Sequence, residues 1–117
     1  MPSVLGMDVR GHLDLLLLGT LRRTGPAHGY ALIVGLREHS GGAFDLPEGS
    51  VYPALHRLER DGLVTSVWDT SAPRRRRVYE LTPDGLAALA AQRRQWRTFA
   101  VGVQSVLGGR PIEGLAR

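Results

Sequence analysis

The chain has 117 residues, 43% of them hydrophobic, enough for one compact domain or a small domain plus one extra helix. It contains no cysteine, which excludes disulfides, thiolate zinc sites and cysteine nucleophiles. The formal net charge is +4, and arginine carries every positive charge; residues 1–46 and 47–84 each balance, so the excess lies after residue 84, where Glu113 is the single acid.

Global charge therefore makes no case for a nucleic-acid partner, and local clustering has to make it. Arginine in place of lysine throughout is also what GC-rich coding produces on any surface, so it is not by itself a sign of phosphate recognition.

Residues 1–11 show no hydrophobic period and are expected to form a flexible arm. From His12 to Arg23 leucine is dense (Leu13, Leu15, Leu16, Leu17, Leu18, Leu21), which predicts a helix covered on more than one side. In so small a domain that suggests a partner subunit besides the chain's own core, with Leu13 and Leu17 at the contact. The stretch Leu13–Leu21 is too short to span a membrane and carries Asp14, with Arg22 and Arg23 behind it, so a buried helix of a cytoplasmic protein is expected. Thr24-Gly25-Pro26 stops it. A second helix, about His28 to His39, has Tyr30, Leu32, Ile33 and Leu36 at helical spacing and ends at Ser40-Gly41-Gly42.

The third helix is expected from about Glu48 to Asp61. Val51, Leu55 and Leu58 form one narrow apolar seam, and Ser50, Tyr52, His56, Arg57 and Arg60 are left facing outward. Pro53 is tolerated only near a first turn, which places Ser50, Tyr52 and Pro53 at the N-terminal end. Leu63–Trp68 reads as a strand, Asp69–Pro73 as a turn, and Arg77–Leu81 as the returning strand. Thr82-Pro83-Asp84 is a helix start, and a long helix from Pro83 to about Leu107 carries Leu86, Leu89, Trp96, Ala100, Val103 and Leu107 as a stripe seeking a partner helix. Residues 109–117 read as a loose tail.

Short helix, strand, basic turn and strand is the order of the DNA-reading half of a winged helix-turn-helix. The expected fold is mainly α (α+β): a winged domain over residues 12–82 and a dimerisation helix over 83–108. Ser50 and the amides of the third helix suit a phosphate, and Tyr52, His56 and Arg57 suit base edges or phosphates. An ordinary amphipathic surface helix has the same pattern. The run Arg74-Arg75-Arg76-Arg77 separates the two readings: four adjacent cations repel one another unless an anion is near, and at a hairpin tip they fit a minor groove and its phosphates.

Pro26-Ala27-His28-Gly29-Tyr30, Gly49-Ser50-Val51-Tyr52-Pro53-Ala54-Leu55 with Arg57-Leu58-Glu59, Gly62-Leu63, and Arg77-Val78-Tyr79-Glu80-Leu81-Thr82 resemble the PadR family of bacterial transcriptional regulators. Ala31 departs from the glutamate common in that family. The resemblance covers about Leu13 to Leu107. It implies a homodimer on a pseudo-palindromic DNA operator, recognition helices in major grooves (Ser50, Tyr52, Pro53, His56, Arg57, with Tyr30) and wings on the flanking minor grooves (Arg74–Arg77). With one helix after the wing, the chain is similar to the compact PadR subfamily, some members of which stack flat aromatic ligands between tryptophans at the dimer centre. Trp96 is the matching platform, with Phe99 one step on and Arg93 a turn before it to pair with an anionic effector; alternatively Trp96 only packs the dimer interface.

His12, His28, His39 and His56 form no spaced metal pair, no cofactor is implied, and no nucleophile–base or paired-acid grouping points to an enzyme. His28 is expected to be a structural residue at a helix start. The expected function is a repressor released from its operator by a small-molecule effector; the rival is a winged-helix module that binds ligands or proteins but no operator.

Overall fold

The computed structural model describes residues 12–71 and 73–109. The arm expected over 1–11 and the tail beyond 109 lie outside the described residues. The elements are α1 (Leu13–Thr24), β1 (Ala27–His28), α2 (Gly29–His39), α3 (Glu48–Arg60), β2 (Val64–Asp69), β3 (Arg76–Leu81) and α4 (Pro83–Leu107).

α1 has Asp14 in its first turn and Arg22 and Arg23 in its last, complementing the helix dipole at both ends. It lies against α2, α3, α4 and β3 at once. That encirclement explains its leucines. Leu13, Leu17, Leu18 and Leu21 are buried by the chain's own elements, so Leu13 and Leu17 belong to the core rather than to a subunit contact. Leu89 of α4 is buried in the same core, and Ala100 is buried as well. Each fully buried leucine contributes about 1.5–3 kcal/mol over an exposed one, and Leu17, Leu18, Leu32, Leu55 and Leu58 are all inaccessible.

His28 caps α2: its Nδ1 accepts the Ala31 N–H at 3.3 Å. α3 buries Val51, Ala54, Leu55 and Leu58 against α1 and α2. Pro53 departs from the expectation of a first-turn proline. It is the sixth residue of α3 and has no N–H for the Gly49 carbonyl. Gly49 and Pro53 are both exposed, so solvent can take the place of the missing donor.

The sheet has order β1-β3-β2, antiparallel throughout. β2 and β3 form the wing, with Val64 opposite Leu81 and Asp69 opposite Arg76. β1 is absent from the sequence reading; it pairs Ala27 with Tyr79 and His28 with Val78, and so ties the start of α2 to the wing. Tyr79 is buried at that junction, and desolvation raises its pKa, with the Glu59 carboxylate adding to the shift.

Thr82 joins the wing to α4. Its hydroxyl donates to the Gly62 carbonyl at 2.6 Å and accepts the Gly85 N–H at 3.0 Å. A Cβ on Gly85 would lie 3.0 Å from the Leu63 carbonyl carbon and closer still to its oxygen, so only glycine fits there. α4 spans 25 residues, about 37 Å. Beyond Ala100 its apolar residues Val103, Val106 and Leu107 are exposed.

Candidate nucleic-acid interface

The exposed flank of α3, the start of α2 and the wing enclose a groove of about 410 Å³. Tyr30, Tyr52, His56, Arg76 and Arg77 line it, five residues that the sequence reading had placed on the DNA face. Tyr30 is 57% exposed, Pro53 and His56 are exposed, and Ser50 and Tyr52 are half-buried.

Tyr52 is held by close packing. A Cβ on Gly29 would lie 2.7 Å from the Tyr52 Cζ and 2.9 Å from its Oη, so the phenol lies flush against the first turn of α2. His28, beside it, has a lowered pKa, chiefly from desolvation and then from the Arg76 guanidinium, with Asp69 opposing. Asp69 is held ionised by Ser71, whose hydroxyl donates to it at 2.6 Å and whose N–H donates at 2.9 Å.

The arginine run is not four equivalent cations. Arg74, Arg75 and Arg76 are exposed. Arg77 turns inward, donates to the Ser66 hydroxyl at 2.7 Å and lies 3.9 Å from the Glu59 carboxylate on α3. The guanidiniums of Arg75 and Arg77 sit 4.6 Å and 4.7 Å from the Trp68 ring centroid.

The model of the PadR-like transcriptional regulator family matches residues 17–91 of this chain, from α1 into α4 and across the whole groove.

The chain belongs to the PadR-like family of transcriptional regulators.

The transcriptional regulator Rv3488 of Mycobacterium tuberculosis is 43% identical over 82 residues, which are 70% of this chain and 71% of that protein. A PadR family transcriptional regulator from Eggerthella lenta superposes with a TM-score of 0.76 at 36% identity, covering 89% of this chain and 88% of that one. A PadR-like regulator from Bacillus cereus gives 0.74 at 28% identity, over 89% and 99% of the two chains. The expected family and the α+β winged fold with a long last helix are thus shown, and the family consists of DNA-binding regulators rather than enzymes.

Two arginines of this PadR-family chain lie elsewhere than expected. Arg57 is on the far flank of α3, where its Nη2 donates to the Asp14 carboxylate of α1 in a close ion pair. It therefore does not join the groove residues. It lines a second hollow, of about 390 Å³, with Asp14, His12, Gln92, Trp96 and Phe99. There the Trp96 and Phe99 rings are 5.9 Å apart, and the His12 ring meets Trp96 edge-on at 5.3 Å. Arg93 is absent from this hollow; it lines a different one with Arg22, Arg23, Leu16 and Phe44. The arginine that shares the hollow with Trp96 is therefore Arg57, paired there with Asp14. His12 was missed as a neighbour of Trp96, since nothing local signals a contact between residues 84 positions apart. Among the described residues no group of three or more His, Asp or Glu is placed to hold a metal ion. No helix among them is long and apolar enough to cross a membrane.

Proposed function

We propose that this PadR-family regulator is a cytoplasmic homodimeric repressor that binds a pseudo-palindromic operator and leaves it when a planar aromatic effector binds beside Trp96. One observation carries the operator reading: Tyr30, Tyr52, His56 and Arg76, drawn from three separate elements, converge on one groove beside the exposed arginines of the wing. In this reading α3 enters a major groove, Tyr52 and His56 reach base edges, and Ser50, Pro53 and Tyr30 follow the backbone. Arg74, Arg75 and Arg76 take the flanking phosphates and minor groove.

The dimer reading is supported by the second half of α4. Phe99, Val103, Val106 and Leu107 are exposed, and a helix end carrying four large apolar side chains is a liability unless a second copy covers it. Leu86 and Trp96 continue the exposed part of the stripe. The effector reading is supported by the hollow at Trp96, which is within the size range of small-molecule sites and combines two aromatic side chains with the Arg57–Asp14 ion pair.

Selection of duplexes from a random DNA pool tests the operator reading. It should enrich two inverted half-sites about one helical turn apart, roughly 10 bp or a multiple. Absence of any enriched sequence at moderate salt would defeat it and favour a winged-helix module that binds ligands or proteins alone.

A further inference from the structure

A chain of contacts runs from the recognition helix to the tip of the wing. It starts at Glu59 on α3, whose carboxylate accepts the Ser66 hydroxyl of β2 at 2.7 Å. Ser66 in turn accepts from Arg77 Nη1 of β3 at 2.7 Å, and Arg77 lies within ion-pair distance of Glu59. The guanidinium of Arg77 then covers Trp68, and Arg75 lies over the same ring. Trp68 remains half exposed, and the register of the wing sets it opposite Arg77.

Two guanidiniums on one indole is an arrangement with a cost, because like charges are brought together. It holds because guanidinium is weakly hydrated and stacks on aromatic faces, and because Glu59 offsets one of the two charges. The other charge, Arg75, makes no ion pair among the described residues: its side chain is exposed and lies over the ring. A long side chain already packed on a surface when its partner arrives loses less freedom on binding than one without such a contact.

We propose that Trp68 and Arg77 are positioning residues: Arg77 clamps the wing to α3 through Ser66 and Glu59, and Trp68 is the shelf that aims Arg75 at a DNA phosphate. Trp68 thus acts on DNA through Arg75, and the charge of Arg77 is engaged inside the protein. The proposal rests on the reading that the wing touches DNA.

A double-mutant cycle on a duplex selected by the wild-type protein tests it, with affinity followed against salt. Arg75→Ala should lower the slope of log K against log salt by about 0.9, the value of one phosphate contact. Trp68→Leu should weaken binding about two- to five-fold, the equivalent of an exposed cation–π contact, and should add no further loss in the Arg75→Ala background. Trp68→Phe, which keeps an aromatic face, should restore most of the affinity and also serves in the cycle if Trp68→Leu folds poorly. Arg77→Gln should weaken binding with the salt slope unchanged. Equal losses from Trp68→Leu in the presence and absence of Arg75 overturn the proposal, as does a one-unit fall in slope with Arg77→Gln. An Arg75→Ala protein indistinguishable from wild type overturns it too, and in that case the wing contact itself fails; additive losses with a lowered Arg75→Ala slope leave the wing contact standing and remove only the shelf.

Discussion

Replacing Gly29 by alanine tests whether Tyr52 reads DNA from a fixed position. The new Cβ would lie 2.7 Å from the Tyr52 Cζ and 2.9 Å from its Oη. Carbon contacts are comfortable at about 3.5–4.0 Å, so the ring has to move by roughly 1 Å. Tyr52 is half-buried and sits beside an open groove, so it can swing outward without a rearrangement of the core. Gly29 is the first residue of α2, where the helical preference of alanine adds little. The fold should therefore keep its stability to within about 1 kcal/mol. A shift of that size takes a hydrogen bond beyond its working range, and loss of one base contact costs about 1–3 kcal/mol, or roughly 5- to 150-fold in the ratio of specific to nonspecific affinity. Fluorescence anisotropy with a selected operator and a scrambled duplex measures the ratio, and thermal unfolding followed by circular dichroism measures the stability. Adding Tyr52→Ala to Gly29→Ala should produce no further loss of specificity. Wild-type specificity in Gly29→Ala, or a further loss in the double variant, would refute the reasoning.

Three other outcomes are expected. Gly85→Ala drives a Cβ into the Leu63 backbone, which cannot swing away, so it should destabilise by at least about 1–3 kcal/mol and lower Tm by several degrees; an unchanged Tm would show that the approach is looser. His28 has a folded pKa below its ordinary 6.5, so the folded chain holds fewer protons than the unfolded one in that range. Its contribution is fully present above pH 6.5 and is lost as the pH falls through 6.5 towards the folded value; His28→Asn, which keeps a cap acceptor, should reduce the loss of Tm between about pH 7.5 and pH 5, and an identical loss would remove His28 as a source. Val103→Asp places a charge on an exposed stripe, so it should leave the protomer folded and weaken self-association by about tenfold or more in sedimentation equilibrium; undiminished association would place the dimer contact elsewhere.

The four helices and the wing are legible in the sequence to within a residue or two, because α2, α3 and α4 carry periodic seams, α1 is dense in leucine, the first wing strand is rich in Val, Thr and Trp, and glycine, proline or capping residues punctuate them. β1 is not legible: two residues, Ala27 and His28, are too few to show a period, and only their pairing with Tyr79 and Val78 makes them a strand. The leucines of α1 show that it is covered on several sides but not by what, and the covering proves to be the chain itself. Tyr30, Tyr52 and His56 were predicted from the outward side of their helices and do share a groove. Arg57 shares the off-seam surface with them, yet a helix has two flanks beside its seam, and which one turns to the groove depends on the packing that sets Arg57 against Asp14, 43 residues earlier. The division within Arg74–Arg77 follows from strand register, which sets Arg77 opposite Trp68 and is not visible in a run of identical residues.

Hydroxyl-radical footprinting on a selected operator is the most direct test of the claim that α3 and the wing together read DNA. Two protected patches related by a two-fold axis are expected, centred about 10 bp apart or a multiple of that, each with a flanking minor-groove segment that loses protection in Arg75→Ala while the central segment persists. A single asymmetric patch, or flanks equally protected with and without Arg75, would contradict it.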